Sequence, residues 1–160
     1  MGNIDLDFTQ LDFDEMPAEV MVNRASEFYK LMNKRRTTRH FAKKKVDRKL
    51  IEFAIKTAST APSGAHLQPW TFVAISNIEL KKKIRKAAEK EERKTYDKRM
   101  PESWSELLKP LGTDYIKEHI TDAPWIIIIF RQSKWQRNNL EWGPTYYSQE
   151  SCGISVGLFI

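Results

Sequence analysis

Residues 61–70 read APSGAHLQPW, placing two prolines, a glycine and a histidine between a helical pattern and the apolar run TFVAI. Gly64 permits close backbone approach, Ser63 offers a hydroxyl, and a turn of this composition frees backbone N–H groups. Such chemistry suits a cradle for a bound molecule, although an ordinary helix-to-strand connection uses the same punctuation. His66 carries no acid–base assignment. Across the preceding helical segment, RRTTRHF (residues 35–41) sets Arg35, Arg36 and Arg39 close together. Guanidinium forks suit bidentate phosphate recognition and stay charged at physiological pH, and Thr37 and Thr38 add hydroxyls. Taken alone, the run reads rather as a basic helix C-terminus complementing the macrodipole.

Glu92 and Tyr96 stand four apart in a lysine-rich segment and share a helical face. Glu89 and Arg93 have the same spacing, so any one acid there, Glu92 included, reads by itself as solvated surface. Lys117, in DYIKEH, has no distinguishing context of its own. GISVG (residues 153–157) sets two glycines four apart around Ser155, too short for a membrane helix but suited to close helix packing, in a core or a dimer seam. Metal-ligand spacings, a nucleophile elbow, a P-loop and a dinucleotide fingerprint are all absent, which argues against hydrolase and nucleoside-triphosphatase chemistry.

These residues must be positioned by a chain of 160 residues, one domain's worth and enough for a sizeable core. The net charge of +6 is uneven: Asp5, Asp7, Asp12, Asp14, Glu15 and Glu19 all precede the first base, Arg24. Residues 1–16 read as an acidic extended arm and 17–160 as the folded domain. The basic excess that follows reads as solvated helix faces, since no nucleic-acid-binding module accompanies it. A single cysteine, Cys152, suits a reducing compartment, and neither WIIIIF nor ISVGLFI is long enough to span a bilayer. The expectation is a soluble cytoplasmic protein with no membrane or nucleic-acid partner.

Pro17 opens a helix expected to reach about Lys34, and Asp47 is an N-cap for a helix with Leu50, Ile51, Ala54, Ile55 and Ala58 at helical spacing. TFVAI reads as a short strand, followed by a helix over roughly residues 79–99 and a less regular segment around Trp104, Leu107 and Leu108. A short helix from Thr113 follows. WIIIIF reads as a strand buried on both faces, and a helix runs from about Thr145 to the last residue. The order predicts an α/β or α+β layer fold, with a central sheet flanked by helices. Two strands cannot cover these helices, so the chain is expected to be incomplete or to borrow strands from a partner.

In the order and spacing of RRTTRHF, TAPSGAHLQPWTFV, KKKIRKAAEKEERKTYDKRM, TDYIKEHITDAPWIIIIF and YYSQESCGISVG, the chain resembles the nitroreductase superfamily, and within it the iodotyrosine deiodinase branch. The likeness covers nearly all of residues 35–160 and implies an FMN enzyme built as an intertwined homodimer. By that resemblance Arg35, Arg36 and Thr37 hold the FMN phosphate, and Arg39 reaches the pyrimidine edge of the flavin. Pro62, Ser63, Gly64 and His66 line the flavin and its ribityl chain. Glu92, Tyr96 and Lys117 match the branch's triad for a substrate zwitterion, the Ala65 N–H would bind a halotyrosine phenolate, and residues 92–109 match a mobile lid.

The implied activity is reductive dehalogenation of iodotyrosines, with NAD(P)H as electron source and no catalytic side chain assigned within this chain. Family members continue past Ile160 with further strands, a hydroxyl residue near flavin N5, another arginine and an arm around the partner subunit. The chain therefore reads as C-terminally truncated. Two other readings share most of these residues: a general FMN-dependent nitroreductase or quinone reductase, and a non-catalytic flavin- or ligand-binding fragment.

Overall fold

The computed structural model describes residues 10–136 and 141–160. The chain divides into two compact units, Met1–Thr38 and Arg39–Ile160. In the first, the arm's residues 1–9 lie outside the described residues, and residues 10–16 form no regular element. Helix α1 (Ala18–Met32) starts directly after Pro17, whose fixed φ suits a helix entry, and ends two residues before the expected Lys34. None of its residues is buried: Phe28, Tyr29 and Leu31 are all exposed.

In the second unit, Asp47 caps α2 (Arg48–Ser59) by accepting the Lys49 N–H at 2.8 Å. After the loop at 61–69 come strand β1 (Trp70–Ile75) and helix α3 (Ile78–Lys94), the latter capped by Asn77. The helix expected to run to residue 99 instead widens into a π-helical turn at Thr95–Arg99, closed by the Met100 N–H on the Thr95 carbonyl. The segment expected to be irregular is helix α4 (Glu102–Leu108), launched from Pro101, with a 3-10 turn at Lys109–Leu111. The short helix expected from Thr113 is confined to α5 (His119–Asp122), because residues 113–118 are held by side chains of α3 rather than by their own ladder.

Strand β2 (Ile126–Arg131) pairs antiparallel with β1, Trp70 opposite Arg131 and Ile75 opposite Ile126. Antiparallel pairing selects the α+β alternative over parallel α/β. The isoleucine run is not buried on both faces as its composition predicts; its isoleucines are half-buried, since β2 has one neighbouring strand among the described residues. A second antiparallel pair, β3 (Lys134–Gln136) with β4 (Trp142–Pro144), was not signalled, because glycine and proline are poor strand formers. Helix α6 (Ser148–Phe159) begins three residues after the expected Thr145.

The core is small. Ala58, Ala61, Trp70, Ile75, Ala123 and Cys152 are buried, with Phe72 and Ile129 packed on Ala61, Trp70 and Cys152. Phe159 stacks on Phe72 with ring centroids 5.9 Å apart. The face of α6 turned inward carries Ser148, Ser151, Cys152 and Ser155, and Ser155 Oγ donates to the Ala58 carbonyl of α2 at 2.8 Å. Close packing at GISVG thus rests on serine, while a Cβ at Gly153 or Gly157 would meet nothing within 4 Å. Among the described residues, no helix is long and apolar enough to cross a membrane.

Candidate functional site

The loop between α2 and β1 is bent sharply. Ala65, His66 and Gln68 all have positive φ (51°, 54° and 46°), a conformation that costs non-glycine residues on the order of 1–3 kcal/mol each. Local bonds hold it: the His66 N–H donates to the Ser63 carbonyl and the Leu67 N–H to that of Gly64. The Gln68 N–H donates to Ser63 Oγ at 2.9 Å, and Gln132 donates its N–H to the Pro69 carbonyl. The Ala65 N–H donates to no acceptor among the described residues, and Ala65 and His66 are exposed. Pro62 is exposed and Ser63 and Gly64 half-buried on the same turn. Gly64 does allow a close backbone approach, but the atom that approaches is the Tyr146 carbonyl oxygen, 2.9 Å from where a Cβ would stand.

Glu92 and Lys117, far apart in sequence, form an ion pair: Lys117 Nζ lies 2.9 Å from Glu92 Oε1 and also donates to the Asp114 carbonyl at 2.7 Å. Tyr96, in the π-helical turn, donates its hydroxyl to Thr113 Oγ1 at 3.4 Å. The three residues expected to bind a zwitterion therefore gather where the end of α3 meets residues 113–117.

Lys117 also lines a pocket of about 290 Å³ with Arg39, His40, Thr113, Asp114 and His119. Sequence reasoning missed His119. Burial first, then the charges of Lys117, Arg39 and Arg85, hold its imidazole below the usual histidine range. A neutral ring beside two cations makes the pocket attractive to an anionic edge. Among the described residues, no group of histidine, cysteine, aspartate and glutamate is arranged to hold a metal ion.

In the first unit, Arg35, Arg36 and Thr37 are exposed, and Arg36 Nη1 donates to the Asn33 and Arg35 carbonyls. Arg36 thus satisfies local carbonyls, as a basic residue at a helix end can.

Also unforeseen was the rest of the α3 face. Glu89 does not pair with Arg93 as the spacing suggested; it accepts Arg85 Nε at 2.6 Å and the Lys117 backbone N–H at 2.8 Å on the same oxygen, Oε1. Arg93 instead lies over the Tyr115 ring, 4.3 Å from its centroid. The signal was available in the lysine-rich helix, since positions 81, 85, 89, 92 and 96 fall on one face.

A family model described as the nitroreductase family matches residues 32–160. The chain is 45% identical over 148 residues to an iodotyrosine deiodinase of Haliscomenobacter hydrossis, covering 89% of this chain and 64% of that protein. It is 43% identical over 144 residues to human iodotyrosine deiodinase 1, covering 90% and 50%, and 42% identical over 147 residues to the Daphnia pulex deiodinase, covering 91% and 49%. The chain thus spans about half to two thirds of the length of these relatives. Among solved structures, an iodotyrosine deiodinase bound to FMN and 3-iodo-L-tyrosine superimposes with a TM-score of 0.72 at 29% identity, over 82% of this chain and 65% of that one. An FMN-dependent nitroreductase of Clostridium difficile superimposes at 0.55 and 18% identity, over 84% and 54%, a likeness of fold alone.

Proposed function

The chain belongs to the nitroreductase family, and from that premise we propose that its protein is an FMN-dependent reductive dehalogenase of halogenated tyrosines. The observation that carries this reading is the Glu92–Lys117 ion pair with Tyr96 alongside. An amino acid presents an ammonium and a carboxylate, and a carboxylate, an ammonium and a phenol are their complementary partners. A zwitterion entering between Glu92 and Lys117 replaces one ion pair with two. A nitroaromatic or a quinone has no charges to use them.

The residues fit FMN. The loop at 61–69 turns sharply and leaves Pro62 and His66 exposed for a flat ring to lie against, and Arg39 brings a guanidinium to the pocket wall. In this reading Arg35, Arg36 and Thr37 hold the phosphate, while Pro62, Ser63, Gly64 and His66 line the ring and the ribityl chain. Arg39 stabilises negative charge at the pyrimidine edge. When bound, FMN supplies the electrons that replace a carbon–halogen bond by carbon–hydrogen, and a nicotinamide-linked reductant restores it.

The chain's own residues do the rest. Glu92 takes the substrate ammonium, Lys117 its carboxylate, and Tyr96 donates a further hydrogen bond. The Ala65 N–H donates to the phenolate oxygen. Closure of residues 92–109 excludes water, and their exposed Trp104 and Leu107 give that segment apolar surface to close with. A second copy of the chain is the proposed partner, and the single cysteine supports a cytoplasmic location.

Flavin fluorescence of the full-length protein tests this directly. Saturable quenching by FMN addition, altered again by 3-iodo-L-tyrosine, is the expected result. Glu92→Gln should weaken iodotyrosine binding about tenfold, as loss of a charge-assisted bond does, and far more than it slows nitroarene turnover. Equal effects on both would assign the protein to general nitroreductase chemistry.

A further inference from the structure

The ion pair at Lys117 does not hold itself in place. From Lys81 on α3 to Tyr96 in the π-helical turn that follows it, side chains meet residues 123 back to 113 in antiparallel order. Lys81, only 3% exposed, donates its ammonium to the Thr121 and Ala123 carbonyls. Arg85 Nη1 donates to Thr121 Oγ1 at 3.0 Å, and Thr121 Oγ1 in turn donates to the Glu118 carbonyl. Glu89 accepts the Lys117 backbone N–H, Glu92 meets Lys117 Nζ, Arg93 covers Tyr115, and Tyr96 reaches Thr113.

Within this series Glu89 has a particular place. It lies one turn before Glu92 on the same face, and it grips the main chain of the residue whose side chain Glu92 meets. Its Oε1 is fixed from the other side by Arg85, which is anchored on Thr121. Both Glu89 and Arg85 are about one quarter exposed, so the pair is largely shielded from water. The Lys117 N–H and then the Arg85 bond hold the Glu89 carboxyl below the usual carboxylate range, so it is charged at neutral pH.

We propose that Glu89, held by Arg85, is a positioning residue that sets the Lys117 ammonium at the right distance from Glu92 to receive a substrate zwitterion. Glu89 itself touches no substrate atom. Its backbone bond fixes where the Lys117 Cα starts, and the remaining freedom of the lysine stem is taken up by the Asp114 carbonyl. Without Glu89, residues 114–118 form no regular ladder of their own, and Lys117 samples positions from which Glu92 and a bound carboxylate cannot both be reached. The proposal rests on the zwitterion reading of Glu92, Tyr96 and Lys117.

The test uses full-length, FMN-loaded protein and flavin fluorescence as a binding readout, with two probes. One is 3-iodo-L-tyrosine; the other is 2-iodophenol, which keeps the halogenated ring and lacks the zwitterion. Glu89→Ala is expected to weaken iodotyrosine binding about tenfold while changing iodophenol binding less than about twofold, as loss of one bond to a charged group entails. Glu89→Gln, which keeps an acceptor for the Lys117 N–H, should recover most of the loss. Unchanged iodotyrosine binding in Glu89→Ala, or equal weakening of both probes, overturns the proposal.

Should Glu89→Ala fail to take up FMN, Arg85→Gln carries the test. It removes the anchor on Glu89 and should give a smaller loss, again confined to iodotyrosine; no selective loss overturns the idea. Glu92→Gln run in parallel separates the two levels. Without a selective effect there, the zwitterion reading itself fails. With one there and none from Glu89 or Arg85, only the positioning role fails.

Discussion

The chemistry of the pocket depends on which of its side chains are charged. Lys117 and Arg39 line it together with His119, which is half-buried. Burial and those cations lower its folded-state pKa from the ordinary value near 6.5, so the unfolded chain binds the proton more readily than the folded one. Stability contributed by the neutral ring is therefore fully present above about 6.5 and is lost as pH falls through the lowered folded value. Arg85 and Lys117 disfavour the protonated ring, while Asp114, Glu118 and Asp122 are the acids nearby in sequence. Urea midpoints measured at pH 7.5 and 5.5 should therefore fall more steeply for the wild type than for His119→Gln. Identical slopes would show that His119 does not titrate against this cluster. None of this was legible at the residue level, because a lone histidine in KEHITD has no partner within its own segment.

Connections between elements show why some parts of the site could be anticipated and others could not. The Asp47 cap, the α2 periodicity and the TFVAI strand are local: each is decided by residues within one or two turns, and each formed where expected. The half-burial of the β2 isoleucines, the π-helical turn around Tyr96 and the irregular 113–118 stretch are decided by neighbours distant in sequence. Glu92 and Lys117 are the clearest case. Alone they read as solvated surface, the resemblance grouped them, and the geometry of α3 pairs them. Gly64 belongs to the same class. It reads as freedom for a ligand to approach, yet the nearest atom to its missing side chain belongs to the lead into α6. In Gly64→Ala the new methyl would stand 2.9 Å from the Tyr146 carbonyl oxygen, a main-chain atom that cannot swing aside. The expected cost is about 1–3 kcal/mol in chemical denaturation, with weakened FMN binding because the 61–69 loop must shift. Wild-type stability in that variant would mean that the two segments separate readily.

At the scale of the molecule, the chain leaves more apolar surface uncovered than isolated hydrophobic side chains account for. Leu50 and Phe53 on α2 are 62% and 64% exposed, and Ile154, Leu158 and Ile160 on or beside α6 are 47%, 45% and 68% exposed. On α6 these flank Gly153 and Gly157, beside which there is open space, so the outward face is shallow enough for another helix to approach closely. Among the described residues the β1–β2 pair is a two-stranded sheet, a unit that is marginal without packing on its faces. Apolar patches of this kind mark association surfaces, and a second copy of the chain is the proposed cover. Sedimentation of the full-length protein at micromolar concentration should then give twice the chain mass. Ile154→Arg, which sets a charge on the outward face of α6 away from Ser155 and Ala58, should weaken that association about 10- to 100-fold, the equivalent of losing one buried aliphatic side chain. Its far-UV circular dichroism should stay unchanged, since Ile154 is already exposed in the single chain. A wild-type protein that sediments as a monomer would remove the dimer from the proposal, and a dimer indifferent to Ile154→Arg would move its seam away from α6.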